Sequence, residues 1–109
     1  MTELSSVTPA RRKLLKAILA EYADRIDRVA VFGSHAVGRA RENSDIDLVI
    51  YGSLAAQDID RLWTLFDDSP LSVPVDVVAY DESLYAPLKR HIDDVAKTLF
   101  TQQQLRKAA

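Results

Sequence analysis

The segment "DIDLVIYG", from Asp45 to Gly52, most constrains the fold. Side chains on a strand point alternately to opposite faces, and here Asp45 and Asp47 alternate with Ile46, Leu48 and Ile50. The pattern predicts a strand over Asp45–Tyr51 with one apolar face, broken by Gly52-Ser53. A helix is expected next, from Leu54 to Asp68. Ile59, Leu62, Trp63 and Phe66 recur there at helical spacing, Ser53 is a candidate cap, and Ser69-Pro70 is the stop. Val73–Tyr80 then reads as another strand. Pro74 has no N–H for a ladder and belongs at its start or on an edge. A strand, a helix and a strand in this order make a right-handed crossover between two parallel strands.

The flanking sequence supplies the remaining elements. Thr8-Pro9 reads as a helix start, with Thr8 as cap and Pro9 where a missing N–H costs nothing. Leu14, Leu15, Ile18, Leu19 and Tyr22 give that helix an apolar stripe ending near Asp24–Ile26. Arg28–Phe32 reads as a short strand stopped by Gly33. Ser34–Ala40 has room for one or two helical turns, and Arg41–Ser44 is a polar turn. A last helix is expected from Ser83 or Pro87 to Gln103, with Leu88, Ile92, Val95, Leu99 and Phe100 as its buried stripe. Residues 1–7 and 104–109 read as loose tails of a single domain spanning 1–109.

Composition removes several function classes. With 48% hydrophobic and 28% charged residues the chain falls among globular proteins. It has no cysteine, so disulfide and thiolate chemistry are excluded. A net charge of −2 argues against general nucleic-acid binding. Arg11, Arg12, Lys13 and Lys16 form a basic cluster, read as the solvated face of the first helix. No apolar run reaches the ~18 residues of a membrane span, and no signal-peptide core is present, so a cytoplasmic protein is expected.

The candidate chemistry lies in acids and glycine. Asp45 and Asp47 project from one face of their strand, roughly 6–7 Å apart at Cα. Their repulsion at that distance is on the order of 2–3 kcal/mol at an effective dielectric near 20, which water can screen or a divalent cation offset. Alone, the pair reads as two solvated aspartates at a strand's start. Asp76 adds weight, because "VPVDVVAY" places a charge inside an apolar run. Beside a parallel neighbour, Asp76 can sit next to Asp47, and three acids suffice for two magnesium ions. An acid guarding an edge strand remains the simpler alternative. Gly33 and Ser34 close the preceding strand, where a glycine lets backbone approach a phosphate and a helical turn offers free N–H groups; taken alone, they read as an ordinary turn glycine and a helix-capping serine.

Together these residues read Gly-Ser, ten residues, Asp-x-Asp, then a strand-borne Asp. Such a set arises by chance on the order of once in a thousand chains of this length. The sequence resembles the nucleotidyltransferases of the DNA polymerase β superfamily, whose motif is GSx10DxD, and most of all the minimal nucleotidyltransferases (MNT proteins). The resemblance runs from the first helix through Asp76. It implies an α+β fold, a mixed sheet of about three strands with helices packed against it. It further implies triphosphate held by Gly33 and Ser34, and magnesium held by Asp45, Asp47 and Asp76, with Asp76 helping to activate an acceptor hydroxyl. Family members often carry arginine directly after Gly-Ser, where this chain has His35. That departure either weakens phosphate contact or passes it to Arg39 or Arg41, and His35 itself is read as a polar surface residue.

Many MNT proteins are antitoxins paired with HEPN toxins, small helical ribonucleases. The resemblance therefore implies transfer of AMP from ATP to a tyrosine of such a partner. Two alternatives stand beside it: an antitoxin that masks its toxin by binding alone, and adenylyl transfer to a small-molecule hydroxyl, for which the chain has no second domain. The spacing Arg28–x6–His35 matches the HEPN nuclease motif, but that motif belongs on a helix, and here it crosses a strand and a glycine turn.

Overall fold

The computed structural model describes residues 7–108. Its frame is a four-stranded mixed sheet. Strands β1 (Ile26–Phe32), β2 (Ile46–Gly52), β3 (Val75–Ala79) and β4 (Lys97–Thr101) lie in the order β3-β2-β1-β4. As the crossover rule requires, β2 and β3 are parallel, in the register Ile46↔Val75, Asp47↔Asp76 and Leu48↔Val77. β1 runs antiparallel to both β2 and β4. Pro74 sits just before β3, where its carbonyl accepts from Ile46 N at 3.0 Å.

Helices cover both faces. α1 (Pro9–Leu19), α2 (Ala56–Asp67) and α4 (Gln102–Ala108) bury Leu15, Leu19, Leu62, Phe66 and Leu105 against Val29, Val31, Leu48, Ile50 and Val77. α3 (Ala86–Val95) covers the other face, burying Ile92 against Ala30, Phe32 and Val49. Each fully buried aliphatic side chain contributes about 1.5–3 kcal/mol. Thr8 caps α1, its hydroxyl accepting from Arg11 N at 3.3 Å, and a tight 3-10 segment over Ala20–Arg25 leads into β1.

The C-terminal third differs from the expected single helix. α3 stops at Val95, and Ala96 turns the chain directly into β4. The physical cause lies in β1. Val29 to Phe32 are buried on both faces, so the backbone groups on the outer side of β1 need partners, and β4 supplies them. A bulge between the Val29 and Ala30 pairings leaves Leu99 as an extra residue, and Leu99 and Phe100 both enter the same core. The tails are also more ordered than expected. Val7 is buried, α4 continues to Ala108, and Leu105 is fully enclosed; residues 1–6 and 109 lie outside the described residues.

Two smaller differences concern α1 and α2. The cap of α2 is not Ser53: its entry residue is Ala55, whose N–H is held by the Asp58 carboxylate at 2.9 Å. Asp58 also pairs with Arg25 at 2.7 Å, and that guanidinium holds its carboxyl below the usual range. The basic face of α1 is partly structural, since the Arg11 guanidinium donates to the Glu42 carbonyl at 2.7 Å and Lys16 lies over the Phe100 ring. Among the described residues no helix is long and apolar enough to cross a membrane.

Candidate active site

β1 ends where the site begins. Gly33 takes φ +70°, a backbone region open to glycine, and turns the chain out of the sheet. One 3-10 turn, Gly33–His35, follows in place of the longer helix that was possible, too short to build a helix dipole. Ala36 N and Val37 N return to the Gly33 carbonyl at 3.1 and 3.2 Å, and Arg39 N to the Ser34 carbonyl at 2.9 Å.

The loop to β2 is pinned from several sides. Arg41 N donates to Ser44 Oγ at 2.8 Å, and Ser44 N returns to the Arg41 carbonyl at 3.1 Å. Arg11 holds the Glu42 carbonyl from α1. His35 is fully buried, with Nε2 against the Ser44 carbonyl at 3.3 Å, contrary to its reading as a surface residue. The ring fixes the span between the Gly-Ser turn and the acids from within, and it is directed into the core. Arg39 and Arg41 remain exposed on the loop.

Phe32, Asp47 and Asp76 form one row across the sheet, each the register partner of the next. Asp47 is half-buried beside Asp76 on the neighbouring strand. Its carboxyl is pushed up to about 6, first by burial, then by the charge and hydrogen bond of Asp76, and last by the charge of Asp45. Asp45 precedes β2 and is exposed. The Asp47 carboxylate also packs against Gly33: a Cβ there would overlap Asp47 Oδ2 and lie 3.2 Å from Cγ.

Among the described residues no three His, Asp or Glu side chains already gather as a metal cage. The donor chemistry nonetheless fits a hard cation. Burial and the neighbouring Asp76 raise the Asp47 carboxyl, the Asp45 charge adds to the field, and oxygen donors suit magnesium.

One neighbour of this row carried no sequence signal. His91 on α3 packs edge-on against Phe32, with ring centroids 6.1 Å apart at 76°. Nothing in the local sequence distinguishes it from other polar residues of an amphipathic helix. Arg28 is confirmed away from any helix, stacked at 3.8 Å over Tyr51 and donating to Thr98 Oγ1 at 2.9 Å.

Known proteins share this fold. No curated protein matches the chain. A chain of a crystallised toxin–antitoxin complex with AMP-PNP superposes with TM-score 0.66 at 25% identity, covering 90% of this chain and 80% of that one. A mutant MntA-HpeT toxin–antitoxin structure gives TM-score 0.62 at 24% identity, over 84% and 75% of the two chains. A Sulfolobus solfataricus protein assigned as a nucleotidyltransferase gives TM-score 0.54 at 20% identity, over 94% and 91%. The last two attest the fold alone. The family model described as polymerase beta, nucleotidyltransferase, matches residues 13–105, and the chain belongs to that family.

Proposed function

We propose that this protein is a magnesium-dependent nucleotidyltransferase that acts as an antitoxin. In this reading it transfers AMP from ATP to a tyrosine hydroxyl of a partner HEPN ribonuclease. The observation that carries the catalytic half is the side-by-side placement of Asp47 and Asp76 beneath the Gly33-Ser34 turn. The likeness to a toxin–antitoxin chain crystallised with AMP-PNP supports the choice of nucleotide and partner.

Asp45, Asp47 and Asp76 would hold the magnesium, two ions in the fullest arrangement, which when bound neutralises phosphate charge and favours an ionised acceptor oxygen. The chain's own residues supply the rest. Backbone N–H groups at Gly33 and Ser34, the Ser34 hydroxyl and the Arg39 guanidinium hold the triphosphate. The acceptor phenol oxygen attacks the α-phosphorus, forming an O–P bond. The bond from that phosphorus to its bridging oxygen breaks and pyrophosphate leaves. Asp76 takes the phenol proton. Half-burial of Asp47 keeps water from diluting the field on the reacting phosphate.

The test is incubation with ATP labelled at the α-phosphate, magnesium and the partner protein. Label on the partner that disappears with Asp45→Asn supports the proposal. A partner neutralised equally well by Asp45→Asn, with no label transferred, would favour masking by binding alone.

A further inference from the structure

We propose that His91 is a phosphate-binding residue of the site, donating from its imidazole to the phosphate chain of the bound nucleotide opposite the Gly33-Ser34 turn. The inference rests on the nucleotidyl-transfer reading above and extends it to an element outside the Gly-Ser and Asp-x-Asp segments.

Three observations place His91 there. First, α3 lies on the same sheet face as the acids. Ile92 packs with Phe32 and Val49, and Phe32 and Val49 alternate with core-facing neighbours as Asp47 does. Second, α3 crosses that face with a fixed roll. On one flank, Asp93 accepts from the Tyr80 hydroxyl at 2.6 Å and Lys89 lies 5.4 Å from the Tyr80 ring centroid, and Tyr80 follows the far end of β3. His91 is two residues from each, about 200° around the helix, so it must emerge on the opposite flank, toward the ends of the strands that carry the acids. Third, the contact is made: the His91 ring stands edge-on against Phe32. Phe32 is bonded to Gly33 on one side and is the register partner of Asp47 on the other. His91 thus overlooks the junction between the phosphate turn and the acid row.

Chemistry gives this position its use. His35, the residue that follows Gly-Ser, is enclosed in the core against the Ser44 carbonyl. His91 is exposed at the rim and carries N–H donors suited to phosphate oxygens. The Phe32 contact limits its rotamers, which lowers the entropy lost on binding.

The experiment compares binding of magnesium–AMP-PNP and magnesium–tripolyphosphate to full-length wild type, His91→Ala, His91→Gln and, from the opposite flank, Lys89→Ala. A hydrogen bond to a charged group predicts about tenfold weaker binding of both probes by His91→Ala. His91→Gln, which keeps a donor, should recover most of the affinity, and Lys89→Ala should match wild type. Unchanged affinity in His91→Ala overturns the proposal. Weaker binding of AMP-PNP alone also overturns it, because His91 would then contact the nucleoside. Absence of nucleotide binding by wild type overturns the nucleotidyl-transfer reading together with this one.

Discussion

The Asp47 carboxylate occupies the space that a side chain on Gly33 would fill. One glycine therefore serves two needs, a positive φ at the end of β1 and room for an acid on the neighbouring strand. Gly33→Ala should lose more than the backbone strain of about 1–2 kcal/mol, because the Asp47 carboxylate must move. Gly38 separates the two effects, having φ +76° with nothing within 4 Å of a new Cβ. Denaturant unfolding should show Gly38→Ala losing only the strain. In nucleotidyl-transfer assays Gly33→Ala should fall about 100-fold, as expected for a misplaced reacting group, and Gly38→Ala should fall far less.

The raised carboxyl of Asp47 makes metal-free stability depend on pH. Its folded value of about 6 lies above the ordinary 3.8, so between these values the folded chain binds more protons than the unfolded chain. Stability of the metal-free protein should therefore fall as pH rises from about 4 to about 6. Solvent screening at this half-exposed group limits the effect to about 1 kcal/mol. Asp47→Asn should flatten that slope in thermal melts. Magnesium should raise the melting temperature above pH 6 in wild type and lose that effect in Asp47→Asn.

The side-by-side acids were legible in sequence because two simple rules meet there. Alternation fixed the face of Asp47 and Asp76, and the crossover rule made their strands parallel. The C-terminal third was not legible for an equally physical reason. Leu88, Ile92, Val95 and Leu99 keep helical spacing straight across the break at Ala96, and the bulge at Leu99 hides the strand's own alternation. The demand for β4 comes from the buried outer side of β1, a tertiary requirement absent from the local pattern. The burial of His35 is hidden likewise, since its partner carbonyl at Ser44 is set by the folded loop.

The C-terminal segment should prove structural. Leu105 is fully buried in the larger core cluster, and Leu105→Ala should cost about 2–4 kcal/mol in denaturant unfolding. A loose tail would show no such cost.

Trp63 shields the free edge of the sheet. Its Nε1 donates to the Val77 carbonyl on β3 at 3.1 Å, and β3 is the terminal strand. Trp63→Phe leaves that carbonyl uncovered, with an expected cost of about 1 kcal/mol and a greater tendency to self-associate. Light scattering against concentration measures it, and wild-type behaviour in the variant would show that the edge is protected by other means.

The most direct measurement is transfer of label from α-labelled ATP to the partner protein by wild type, Asp47→Asn and Asp76→Asn, each first shown to be folded and bound to the partner. Adenylyl transfer by this site would place AMP on a partner tyrosine with wild type and none with either variant. Equal labelling by wild type and both variants, or neutralisation of the partner with no label in any of them, would contradict it.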